Sequence, residues 1–123
     1  MPSYISSLLA EVVVPQVTAR LQAELRKFVV GAVIRNYLPQ TWWFISDTGS
    51  ATFYVDRDGI AAVYDGQSGN PDVSITWTDR AYCAAVGLQD RSQIPHADGQ
   101  PSVVPHTQRG ATAFGQVRKQ LGL

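Results

Sequence analysis

Apolar residues recur at spacings of three and four along the first third of the chain, and at a spacing of two from about residue 40 onward. Leu8, Leu9, Val12, Val13 and Val14 form a short apolar run in the segment 1–15, where Ser6 or Ser7 is placed to cap a short helix. Pro15 ends that element and suits the first turn of the next, because its missing N–H costs nothing there. Val17, Leu21, Leu25, Phe28 and Val29 then define one face of a helix expected over 16–38, with Arg20, Glu24 and Lys27 on the other face. Gly31 weakens this helix midway and Leu38-Pro39 stops it. The β-branched cluster Val29, Val30, Val33 and Ile34 leaves an extended alternative open for its second half.

Four strands are expected within 41–78. TWWFISD (41–47) is followed by a turn at Asp47-Thr48-Gly49-Ser50, and TFYVD (52–56) leads into the hairpin signal Asp58-Gly59. IAAVY (60–64) is the third strand, and a Gly/Ser/Asn-rich loop separates it from DVSITWT (72–78). In that fourth strand Val73, Ile75 and Trp77 point one way, and Ser74 and Thr76 the other. Thr78 and Asp79 open a helix over 79–87 that Gly87 terminates. A polar loop follows, then an irregular strand at 102–107 kept to an edge by Pro105, then a closing helix over 110–122. This order of elements describes a single α+β domain with an antiparallel sheet and helices packed on one side.

Composition narrows the function. Ten basic and ten acidic groups cancel in 123 residues, so the chain lacks the basic footprint of a nucleic-acid binder. One cysteine excludes an internal disulfide, and two histidines close off the usual structural zinc patterns. An apolar content of 45% argues against disorder, and no apolar run reaches membrane-spanning length. The absence of a basic residue in Met1 to Pro15 argues against a signal peptide, so a cytoplasmic protein is expected. Arginines outnumber lysines eight to two, which points toward a GC-rich bacterial source.

PDVSITWTDRAYCAAVG, residues 71–87, resembles the centre of the sterol carrier protein type-two family, where a strand of the form "aDvtitmt" runs into "Dedflalv" and a glycine. Asp72, Val73, Ile75, Thr78, Asp79, Val86 and Gly87 occupy matching positions. The aromatic hairpins with Asp58-Gly59 and the Gly66 turn are similar to that family's first strands. Gly110, Ala113, Phe114, Val117 and Leu121 are similar to its closing glycine and helix. The resemblance covers the last two-thirds of the chain. It implies a curved, mainly antiparallel five-stranded sheet covered on one face by helices, with an apolar tunnel between the layers for acyl chains, acyl-CoA or sterols. The chain departs from the family after the central helix: RSQIPHADGQPSVVPHTQRG (91–110) is polar, where the family has an apolar stretch and a basic strand.

The expected function is non-enzymatic binding or transfer of a fatty acid, acyl-CoA or sterol-like lipid, without a cofactor. The expected ligand-binding residues are Trp42, Phe44, Phe53, Val55, Ile75, Trp77, Tyr82, Val86, Phe114, Val117 and Leu121. Adjacent Trp42 and Trp43 must face opposite sides of a strand, and either is a candidate for the inner face. The alternative is a protein-interaction module, or a homodimer, on the same fold with its cavity filled by aromatics. A third is a small cone-shaped enzyme resembling nuclear transport factors, which requires an aspartate or histidine inside the pocket.

Other reactive residues favour bland roles. His96, Asp98 and His106 are the one group with metal-ligand chemistry, and a solvated loop explains them better. Ser102 or Thr107 near a histidine is not a triad. Cys83 among alanines behaves as a small hydrophobe. Arg118 and Lys119 are too few for stable membrane attachment.

Overall fold

The structure, a computed structural model, describes residues 3–83 and 101–121, and of 117–121 the backbone only. Helix α1 (Tyr4–Leu8) runs through a π-helical turn (Leu9–Val13) into α2 (Val14–Leu25), and α3 (Phe28–Arg35) follows. Strands β1 (Gln40–Ile45), β2 (Ser50–Val55), β3 (Ala61–Asp65) and β4 (Val73–Thr76) precede α4 (Asp79–Tyr82), β5 (Ser102–Pro105) and α5 (Gln108–Leu121). The expected helix over 79–87 is described only to Tyr82, and Val86 lies outside the described residues.

The five strands form one open sheet in the order β3-β2-β1-β4-β5. It is mixed: β1 pairs parallel with β4, whereas β1–β2, β2–β3 and β4–β5 are antiparallel. The parallel pair requires the chain to cross from the β3 edge to the far side of β1. Residues 66–69 make that crossing on the outer face, where Gly66 O accepts from Thr52 Oγ1, Thr52 Oγ1 accepts from Ser68 N, and Ser68 O accepts from Trp43 Nε1.

The register settles which residues share the inner face. Trp42 opposes Phe53 and Val73, and Phe44 opposes Ala51 and Ile75. Phe53 in turn opposes Val63, and Ile75 opposes Val103. These residues pack with Ile5, Leu8, Leu9, Leu38 and Tyr82 into the core. Trp42 therefore faces inward and Trp43 outward, under the crossing loop.

The helix expected over 16–38 is two helices. Lys27 adopts an extended conformation (ψ 137°), so α2 ends at Leu25 and α3 leaves in a new direction. No Gly or Pro marks this break. Gly31 lies against the end of α2, where a Cβ would come within 2.5 Å of Leu25 O, so it permits a close helix contact rather than weakening a continuous helix. The break also splits the apolar stripe. Val17, Leu21 and Leu25 stay on the core side, but Phe28 and Val29 are 94% and 70% exposed. Leu25→Ala is accordingly expected to cost about 2–4 kcal/mol of stability, and Phe28→Ser to change it by less than about 0.5 kcal/mol, as read by urea denaturation.

The first helix is also capped differently from the expectation. Ser3, not Ser6 or Ser7, is its N-cap and accepts from Ser6 N. Thr78 caps α4, accepting from Ala81 N at 3.1 Å. Gln108 starts α5 two residues earlier than expected, with Thr107 Oγ1 accepting from Gly110 N.

Candidate functional site

Strand alternation places Trp42, Phe44, Phe53, Val55 and Ile75 on one face of the sheet, and α4 and α5 bring Tyr82 and Phe114 to the same side. Trp77, just beyond β4, packs against Tyr82 at a ring-centroid distance of 5.9 Å. The rings form a connected row. Trp42 meets Phe44 and Phe114, Phe44 meets Phe53 and Tyr82, and all these centroid distances fall between 5.9 and 6.4 Å. Eight of the predicted ligand-binding residues are thus brought together. Val86 and the side chains of Val117 and Leu121 lie outside the described residues.

Phe53, Val55, Ile75 and Tyr82 are buried, while Trp42, Phe44, Trp77 and Phe114 remain half-buried. The polar tips of the row are engaged internally. Trp42 Nε1 donates to Gln40 Oε1 at 2.9 Å, and Gln40 Nε2 donates to Tyr37 O and Arg109 O. Tyr82 OH bonds to the main-chain carbonyls of Ile45 and Ile75, at the ends of β1 and β4. Burial pushes the Tyr82 phenol well above its usual range, so it stays protonated and acts as a donor. What these residues present toward the helices is hydrocarbon and ring surface. Gln40 and Val103 belong to this face too, and sequence reasoning missed them. The polar Gln40 carries no apolar signal, and Val103 was read only as part of an irregular edge.

A second cluster fixes the β4–β5 end. Asp72 is 3% exposed; its carboxylate accepts from Thr41 N at 2.9 Å, Thr107 Oγ1 at 2.8 Å and the Arg109 guanidinium at 3.1 Å. Its main-chain carbonyl accepts from His106 N and Thr107 N. One side chain thereby joins the start of β1, the end of β5 and the first turn of α5.

The carboxylate of Asp65 similarly ties α1 to β3. Oδ1 accepts from Ser3 N, Ser3 Oγ and Ser6 Oγ at 2.9, 2.9 and 2.6 Å. The bond from Ser3 N, followed by those from the Ser6 and Ser3 hydroxyls, holds this carboxyl below the ordinary carboxylate range. A carboxyl with a depressed folded pKa stabilises the fold above its unfolded pKa and loses that contribution as pH falls through the folded one. Wild-type melting temperature should therefore fall more steeply below the ordinary carboxylate range than that of Asp65→Asn, as read by thermal melts from neutral pH downward. Equal acid slopes would show that the tie contributes nothing.

The remaining candidates disperse. His106 Nε2 lies 2.8 Å from Ser74 Oγ on the exposed outer side of the sheet, and among the described residues no carboxylate is bonded to that imidazole. Thr107 is bound to Asp72, and Ser102 is exposed on β5. His96 and Asp98 lie outside the described residues; among those described, no group of three His, Cys, Asp or Glu side chains is placed to hold a metal ion. Cys83 is a half-buried free thiol, and a hydrogen bond with it raises the Tyr4 phenol. Among the described residues no helix is long and apolar enough to cross a membrane.

No family model and no curated protein matches the chain. Solved structures do. A ubiquinone synthesis protein, UbiJ-SCP2, is 16% identical, with 88% of this chain and 92% of that one covered, at a TM-score of 0.46. Sterol carrier protein 2 from Yarrowia lipolytica, in its apo form, is 15% identical over 82% of this chain and 86% of that one, at a TM-score of 0.39. A double mutant of the sec-alkyl sulfatase PisA1 is 12% identical over 63% of this chain, at a TM-score of 0.44, and this chain spans only 12% of that protein's length.

Proposed function

We propose that the protein binds a hydrophobic chain-shaped ligand, of the fatty acid, acyl-CoA or sterol-like class, against the inner face of its sheet and performs no chemistry on it. The row of half-buried rings Trp42, Phe44, Trp77 and Phe114 carries this reading. With Trp42 Nε1 and Tyr82 OH already bonded within the protein, recognition rests on apolar contact and shape, and the ligand's polar end lies away from the row. Burying ten methylenes contributes roughly 8 kcal/mol, and association costs at least about 4 kcal/mol. The net corresponds to roughly millimolar affinity, and every two further methylenes tighten it by about tenfold. Transfer then amounts to shielding the chain from water between donor and acceptor.

Native mass spectrometry of the freshly purified protein tests this. A retained adduct of lipid mass supports it. A bare protein that, once delipidated, takes up no fatty acid of any length contradicts it.

A second reading, a protein-interaction module with its interior filled by its own aromatics, draws on the exposed apolar side of α3, where Phe28, Val29, Val30 and Val33 face solvent. Reproducible lipid uptake with no change on Phe28→Ser would set it aside.

A further inference from the structure

Among the described residues, part of one sheet edge keeps main-chain groups unbonded beside a cleft. Asp56 N donates to Ile60 O at 3.1 Å and Gly66 N donates to Ser50 O at 2.9 Å, so the even-numbered residues of β3 bond toward β2. Ala61 N points the opposite way and donates to Thr18 Oγ1 of α2. By the two-residue period of a strand, the N–H and C=O of Val63 and Asp65 also point outward. They have no partner among the described residues.

Directly alongside runs an open cleft of about 220 Å³, lined by Ser6, Ser7, Ala10 and Glu11 on the helical side and by Val63 and Asp65 on the strand. A strand whose outer edge has no strand partner, flanked by a helical wall, is the arrangement that accepts an added strand. The opposite edge, β5, is four residues long and ends in Pro105, which donates nothing to a neighbour. β3 carries neither proline nor lysine, the usual protections of an edge. Among the described residues, the side chains that line the cleft include two carboxylates, Glu11 and Asp65, and no lysine or arginine, and the hydrogen bonds on Asp65 hold its carboxyl below the ordinary range.

We propose that the β3 edge and the α1 wall form an acceptor groove for an extended peptide segment of a partner protein, one that carries a basic side chain. The segment adds to the sheet beside β3 through the main-chain groups of Val63 and Asp65, and its lysine or arginine is set against Glu11 and Asp65. This surface is separate from the aromatic row, and either can be correct without the other.

The heptapeptide acetyl-Thr-Lys-Val-Lys-Val-Lys-Thr-amide serves as the probe, with hydrogen exchange read at single amides by NMR. On saturation the Val63 and Asp65 amides should slow by about tenfold or more, while Tyr64, already bonded to β2, does not change. The analogue with Glu in place of Lys should give no protection to wild type, and Glu11→Lys should reverse that preference. Unchanged exchange at Val63 with the Lys peptide would overturn the proposal, as would equal protection by both peptides. Protection that grows with protein concentration in the absence of peptide would assign the edge to a second copy of the chain and likewise overturn it. The wild-type comparison decides even if Glu11→Lys does not fold.

Discussion

Replacing Asp72 by alanine is expected to lower stability by about 3 kcal/mol, roughly 10 °C in melting temperature. Asp72 is 3% exposed, and its carboxylate accepts from Thr41 N, Thr107 Oγ1 and the Arg109 guanidinium. Bonds to a charged acceptor are worth about 1.5–3 kcal/mol each when buried. The Arg109 side chain is 42% exposed, so solvent screens that member of the set and the estimate stays well below a sum of three. Removal also unties the strand β1 from the start of α5, so α5 should lose order along with the global loss. Urea denaturation of Asp72→Ala and Arg109→Ala separates the effects. The first should approach the full loss and the second should stay within about 1 kcal/mol. Equal losses would show that the half-exposed ion pair, rather than the bonds from Thr41 and Thr107, holds the joint.

Gly110→Ala is expected to be comparably damaging. A Cβ at residue 110 would lie 2.3 Å from Asp72 O and 2.7 Å from Asp72 C. These are main-chain atoms, and the same carbonyl accepts from His106 N and Thr107 N, so it cannot retreat without breaking those bonds. Overpacking against backbone costs about 1–3 kcal/mol and more where the neighbour cannot move. α5 must then lift from β4 and carry Phe114 away from Trp42, whose rings are 5.9 Å apart. The substitution should therefore lower both the melting temperature and any lipid uptake. Because Asp72 and Gly110 meet directly, the double variant should lose less than the sum of the two single losses. Simple additivity would contradict the shared joint.

Much of the sheet could be read from the sequence because its signals are local. Alternating aromatics, the Asp58-Gly59 turn and the run Val73-Ser74-Ile75-Thr76 each specify a strand within a few residues. The parallel pairing of β1 with β4 depends on contacts some 31 positions apart, Trp42 with Val73 for instance, and no local pattern distinguishes it from an antiparallel neighbour. The same holds for Trp42 and Trp43, whose directions are decided by that register and by Ser68 arriving over the outer face. The break at Arg26-Lys27 left no trace because both residues are good helix formers; the close seat of Gly31 on Leu25 O fixes it instead. In the candidate site, the aromatic members announced themselves by type and spacing. Gln40, which satisfies Trp42 Nε1, and Asp65, which reaches Ser3 and Ser6 from the far end of the sheet, act through long-range hydrogen bonds that no periodicity encodes.

The inner-face claim is tested most directly by contact quenching of tryptophan fluorescence with a brominated fatty acid, comparing wild type with Trp42→Phe, Trp77→Phe and Trp43→Phe. Bromine quenches only rings it nearly touches, so the inward Trp42 and Trp77 should supply the quenching and the Trp43→Phe protein should retain it in full. A wild-type protein whose emission does not respond, or one whose response vanishes on Trp43→Phe alone, would contradict a lipid site between the sheet and its helices.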